Sequence, residues 1–121
     1  MFKLVSALLA AGLVLVFSLP FAFAHAVLVK SSPAAGEVLP QDSLELHLTF
    51  TEALEPRFST FKVEAVDGGD KAPVSVSFEE RDKSVVLKLE NKLRPGSYKL
   101  HWNVVSTDTH RSEGELAFSV K

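Results

Sequence analysis

The chain predicts an all-β domain, a seven-stranded Greek-key sandwich or barrel, placed behind an N-terminal export segment. Two observations carry the fold: apolar residues alternate with period two along successive short segments, and Gly, Pro, Asp and charged clusters separate those segments at regular spacing. A third concerns what holds the domain together. With Cys 0 in 121 residues there is no disulfide framework, so one hydrophobic core must supply the stability.

The elements follow in order. Residues 1–24 carry one charge, Lys3, and run apolar from Leu4 to Phe23 apart from Ser6 and Ser18. Pro20 breaks the run ahead of the small-x-small site Ala22-Phe23-Ala24, which is the layout of a cleaved signal peptide. The alternative is an uncleaved anchor, because about 20 apolar residues span a bilayer. The signal reading divides the chain into a signal peptide, 1–24, and a domain, 25–121, that is exported and free of the membrane. A short first strand is expected over Val27 to Lys30. From Leu44 to Thr51 the alternation is strict, with Leu44, Leu46, Leu48 and Phe50 on one face and Glu45, His47, Thr49 and Thr51 on the other. Phe61, Val63 and Ala65 precede the turn Asp67-Gly68-Gly69-Asp70, and Val74, Val76 and Phe78 follow it, which predicts a hairpin. Glu79 to Lys83 forms a charged turn into a strand over Ser84 to Leu89. Arg94-Pro95-Gly96 turns into the strand of Tyr98, Leu100, Trp102 and Val104. A last strand directs Leu116, Phe118 and Val120 inward. No helix is predicted after residue 24.

Charge and donor chemistry narrow the function. The formal net charge is −2, and no basic patch for nucleic acid is present. Met1 is the only methionine, so after signal removal nitrogen and oxygen are the only metal donors. Cleavage after Ala24 leaves His25 at the terminus, where its α-amine and imidazole Nδ1 can close a chelate ring on one cation. His47 and His101 alternate outward on their strands and read as solvated surface residues. His110 differs, because it lies in the polar segment Ser106 to Ser112, two residues after Asp108. In an extended segment such a pair projects to one side roughly 6.5 to 7 Å apart, within reach of one ion. Alone, Asp-x-His fits better a turn in which the carboxylate caps backbone N–H groups, and the metal reading needs His25 as well.

The segments His25-Ala26-Val27-Leu28, Ser31 to Gly36, Phe50-Thr51-Glu52, Leu93 to Tyr98, Trp102 and Val105 to His110, with Gly114 and Phe118, resemble the CopC family of periplasmic copper-resistance proteins. The resemblance covers the whole of 25–121 and implies a cupredoxin-like or immunoglobulin-like β-sandwich. It implies one Cu(II) per chain, held by the amine and imidazole matched by His25 and by the matches Asp108 and His110. Glu52 matches a supporting carboxylate that hydrogen-bonds near the amine. It further implies a periplasmic monomer that buffers or carries copper, with a membrane copper transporter as partner. Two departures stand out. The methionine-rich Cu(I) segment of some members is replaced by Asp67-Gly68-Gly69-Asp70, and Thr109 stands where many relatives have glycine, which restricts a left-handed backbone. The donor set suits tetragonal Cu(II), with Zn(II) a rival that accepts the same donors in a tetrahedron. The missing cysteine thiolate argues against blue-copper electron transfer. Two other classes fit less well: a histidine-brace copper oxygenase, and a metal-free β-sandwich interaction domain.

Overall fold

The computed structural model describes residues 26–121. The signal-peptide expectation and His25 lie outside the described residues. Among the described residues nine strands form: β1 Leu28–Ser32, β2 Val38–Leu39, β3 Glu45–Phe50, β4 Thr60–Ala65, β5 Lys71–Ala72, β6 Val74–Glu79, β7 Ser84–Leu89, β8 Gly96–Val105 and β9 Arg111–Val120. They make two sheets, β1-β3-β7-β6 and β2-β9-β8-β4-β5, packed face to face as a sandwich. Seven of the nine are the predicted strands. The additional β2 and β5 are two residues each, too short to leave a period-two pattern. A single 3-10 turn at Pro56–Phe58 is the one helical element among the described residues.

The alternation places the core as the sequence implies. Leu46, Leu48 and Phe50 of β3 meet Leu100, Trp102 and Val104 of β8 across the sandwich, with Val63, Val85, Leu87 and Phe118 beside them, all buried. The Phe50 and Trp102 rings pack edge to face with centroids 6.0 Å apart. Trp102 pairs across the strands with Gly114, and its indole fills the space where a side chain would stand. A Cβ on Gly114 would lie 2.4 Å from the Trp102 ring. The central tryptophan therefore requires glycine on its neighbouring strand.

Two expectations are corrected. Leu44 is 43% exposed: β3 begins one residue later, and Leu44 is tied to β7 only through its carbonyl, which accepts from the Leu89 N–H at 2.8 Å. The hairpin around Asp67 to Asp70 closes with β5 rather than β6: Val63 pairs with Ala72, and the chain then changes sheets so that Val74 pairs with Leu89 of β7. Pro73 sits at the crossing. It has no N–H to continue a ladder, so the strand breaks there and the apolar residues beyond it face the same core from the opposite sheet.

Candidate metal centre

One end of the sandwich gathers three segments. The chain enters it at Ala26, which is buried and whose carbonyl accepts from the Ser112 hydroxyl at 2.7 Å. Val27 is pinned on the other side: its N–H donates to Thr51 Oγ1 at 3.0 Å, and its carbonyl accepts from the Thr51 N–H at 2.9 Å. The segment after β3 is tied to the loop after β8 by the Thr107 N–H donating to the Ala53 carbonyl, by a bridge between Leu54 and Ser106, and by the Glu55 N–H on the Val105 carbonyl. Glu52, half-buried, belongs to that tied segment. The third segment is the loop of Ser106 to His110 itself.

That loop is a tight turn, the form that Asp-x-His taken alone favours, rather than an extended stretch. The Ser106 N–H donates to the His110 carbonyl at 2.9 Å, and the Thr109 N–H to the Ser106 carbonyl at 2.8 Å. Thr109 takes φ of 75°, a left-handed conformation that is awkward for a β-branched residue. The turn folds Asp108 and His110 onto one side, with His110 Nδ1 3.4 Å from Asp108 Oδ1 and both side chains about half exposed. Two donors about 2 Å from one ion, set at right angles, stand about 2.8 Å apart, so the observed spacing is a small closure away from what a shared ion would need. The competing backbone cap is present as well: the His110 backbone N–H is hydrogen-bonded to the Asp108 carboxylate, while Ser106, fully buried, holds the turn and donates its hydroxyl to Asp108 Oδ1. That hydrogen bond keeps the Asp108 carboxyl below its ordinary value, against a partial desolvation that pushes the other way, and His110 adds to the lowering. The carboxylate is thus ionised and aimed by its neighbours. Ser106 and Ser112 were silent in the sequence, where a serine beside a strand reads as an ordinary turn residue.

The remaining histidines lie elsewhere. His47 sits exposed on the outer face of β3 with Nε2 3.1 Å from Glu45 Oε1. His101 is on the outer face of β8, less solvated than its alternation implies, with Nε2 3.0 Å from Glu64 Oε1 and Nδ1 3.3 Å from Glu115 Oε1. Those carboxylates occupy both nitrogens from opposite sides of the ring, so they do not converge on a common ion. Among the described residues no group of three or more His, Cys, Asp and Glu side chains is disposed to hold a metal. Asp108 and His110 by themselves offer two donors, fewer than a metal site requires. A cleft of about 440 Å³ at the opposite end, between Asp67, Lys71, Lys92, Arg94 and Tyr98, contains no histidine.

The CopC domain profile matches residues 28–121. The chain belongs to the CopC domain family. It is similar to copper resistance protein C of Pseudomonas syringae pv. tomato, 39% identical over 105 residues that cover 81% of this chain and 82% of that one. It is 33% identical over 110 residues to the copper transport protein CutJ of Bacillus subtilis, covering 89% of this chain and 20% of CutJ. The crystal structure of PcoC, a methionine-rich copper resistance protein from Escherichia coli, superposes with a TM-score of 0.74 at 29% identity, covering 81% of this chain and all (100%) of PcoC. These relatives are described as copper resistance and copper transport proteins, and membership of their family supports a copper-binding role. Among the described residues no helix is long and apolar enough to cross a membrane.

Proposed function

We propose that this chain is an exported Cu(II) carrier of the periplasm whose metal site is built from a processed N-terminus. Signal cleavage after Ala24 gives the domain 25–121, and the α-amine and imidazole of His25 join Asp108 and His110 around one copper ion. The observation that carries this reading is the convergence of Asp108 and His110, 3.4 Å apart, at the end of the sandwich where Ala26 is fastened. The two clamps on Ala26 and Val27 fix the point from which a terminal histidine would reach.

The donor chemistry fits copper. Amine and imidazole nitrogens with one carboxylate favour Cu(II), which leads the divalent affinity order and accepts a tetragonal arrangement, whereas Zn(II) would demand a tetrahedron from the same atoms. No sulfur donor follows Met1, so the site discriminates against Cu(I). Asp108 offsets part of the ion's charge, and Ser106 holds it ready. Glu52 supports the amine as an acceptor. The amine must lose its proton to bind, and its ordinary pKa of about 7.7 to 8.0 means that affinity falls as pH drops through neutrality.

The carrier acts as a monomer that hands copper to a membrane copper transporter. CutJ favours that partner, because there a domain similar to this one occupies a fifth of a longer chain described as a copper transport protein. The test is mass spectrometry of the protein recovered from the periplasm, with Cu(II) titration of the same sample. The expected result is a chain beginning at His25 that takes up one Cu(II). A mature chain that starts at another residue, or one that binds no Cu(II), overturns the reading.

A further inference from the structure

The two sheets have four edges, and three are visibly protected. β2 and β5 are two residues long and are each followed by proline, Pro40 and Pro73. β1 carries a register break between Leu28 and Lys30, presents Lys30, and runs into Pro33. These are the ordinary devices that keep an edge from pairing with another chain. β6 has none of them. Its six residues, Val-Ser-Val-Ser-Phe-Glu, pair with β7 in unbroken register, contain neither proline nor glycine, and are uncharged until Glu79.

The hydrogen-bond parity of β6 shows which groups it leaves outward. The Glu90 N–H donates to the Pro73 carbonyl at 3.1 Å, and the same register makes Ser75, Ser77 and Glu79 the residues that exchange bonds with β7. The N–H and C=O groups of Val74, Val76 and Phe78 therefore point away from the sheet, with no strand against them among the described residues. The side chains of the same three residues are only half-buried at the rim of the core.

We infer that β6 pairs with β6 of a second copy of this chain, antiparallel about a two-fold axis through Val76. The three outward residues are symmetric about Val76, so this register sets Val76 against its counterpart and Val74 against Phe78 of the second copy. All six outward N–H and C=O groups of each strand are then satisfied. Ser75 faces Ser77 of the other copy, no charge opposes a like charge, and Glu79 falls opposite Pro73, beyond the paired stretch. The half-exposed apolar rim closes over itself. One short strand on each side places the contact under about 1,200 Å² of buried surface, the class of weak and transient interfaces. The dimer is thus a concentration-dependent form of the monomeric carrier. It leaves the metal-bearing end untouched, since that end is formed by the segments around Ala26, Glu52 and Ser106 rather than by β6.

Sedimentation equilibrium of the purified protein from micromolar to millimolar concentration, with and without Cu(II), tests this. The expected result is a reversible rise toward twice the monomer mass in both conditions. Val76→Pro removes an outward N–H while leaving the β6–β7 bonds in place, and should raise the dimer Kd at least about tenfold with the far-UV circular dichroism unchanged. Should that variant not fold, charge replaces it as the probe. Ser75→Lys/Ser77→Lys should abolish self-association by placing lysine against lysine, as Ser75→Glu/Ser77→Glu should with carboxylates, and mixing the two should restore a heterodimer. A protein that stays monomeric throughout, including one whose β6 edge instead takes a strand from another protein, overturns the proposal. So does a dimer that a folded Val76→Pro variant retains, or one that forms only with Cu(II).

Discussion

His101 and His110 are the same residue type, each within 3.5 Å of a carboxylate, yet the fold gives them opposite possibilities. His101 stands on the flat outer face of β8, where the sheet's pleat fixes neighbours on both sides, and Glu64 and Glu115 take one ring nitrogen each. His110 stands at the end of a tight turn that faces it toward Asp108, with about half of each side chain open to solvent. A histidine surrounded by carboxylates in a sheet is saturated. One paired with a carboxylate at a strand end has a geometry that an ion could share with that carboxylate. Proximity of ligand types is therefore a weak sign of a site, and the backbone's freedom to aim them at one point decides it.

Removing each histidine in turn separates the two most sharply. His110→Ala should lower Cu(II) affinity by more than about 100-fold, beyond the range of a supporting residue, while His101→Ala and His47→Ala should stay close to the parent. Competition titrations decide it, and an equal loss from His101→Ala would reverse the assignment. Glu52→Gln comes next. As a supporting acceptor it should cost about 10- to 100-fold in affinity while the tetragonal Cu(II) signal persists in electron paramagnetic resonance, and disappearance of that signal from a folded variant would make Glu52 a direct ligand.

Ser106→Ala sharpens the contrast at lower amplitude, with about a tenfold weaker site. Its diagnostic reading is the titration of Asp108 followed by NMR. In the parent the Ser106 hydrogen bond depresses the carboxyl, so its stabilising contribution is present above the ordinary Asp value and is lost as pH falls through the lower folded value. In the variant that transition should move to higher pH. An unmoved Asp108 would show that Ser106 serves only the backbone of the turn. The smallest effect belongs to Thr109→Gly. Relief of a left-handed threonine should stabilise the domain by about 1 kcal/mol in thermal or urea unfolding, less what glycine adds to the freedom of the unfolded chain. A lower melting temperature would mean that the Thr109 hydroxyl, which donates to the Asp108 carbonyl, matters more than the strain.

Much of the fold was legible because a half-buried strand writes its two faces directly into the sequence. Ser84–Leu89 was bounded as the structure has it, and the apolar sets of β3, β4, β8 and β9 face the core as expected, Leu44 apart. Pairing was less legible. A period-two pattern says which residues face inward but not which sheet they join, and the partner of Val74 to Phe78 turned on Pro73, where one missing N–H ends one ladder and begins another. At the candidate site the sequence named Asp108 and His110 by spacing. The same motif also indicated a turn, but the turn's detail depends on a threonine held in a left-handed conformation and on a buried serine that no periodicity reveals. The clamps on Ala26 and Val27 join residues far apart in sequence, through Ser112 and Thr51, and no local pattern announces them.

The proposed metal site stands or falls on a free amine at His25. The decisive comparison is between the Cu(II) affinity of the chain beginning at His25 and that of the same chain carrying one glycine ahead of it. The extension turns the amine into a peptide nitrogen and moves the new terminus away from Asp108 and His110. The expected outcome is an unchanged metal-free melting temperature and loss of most of the Cu(II) affinity, beyond the roughly 100-fold ceiling of a supporting residue. Equal affinity in the two forms would contradict the amine chelate.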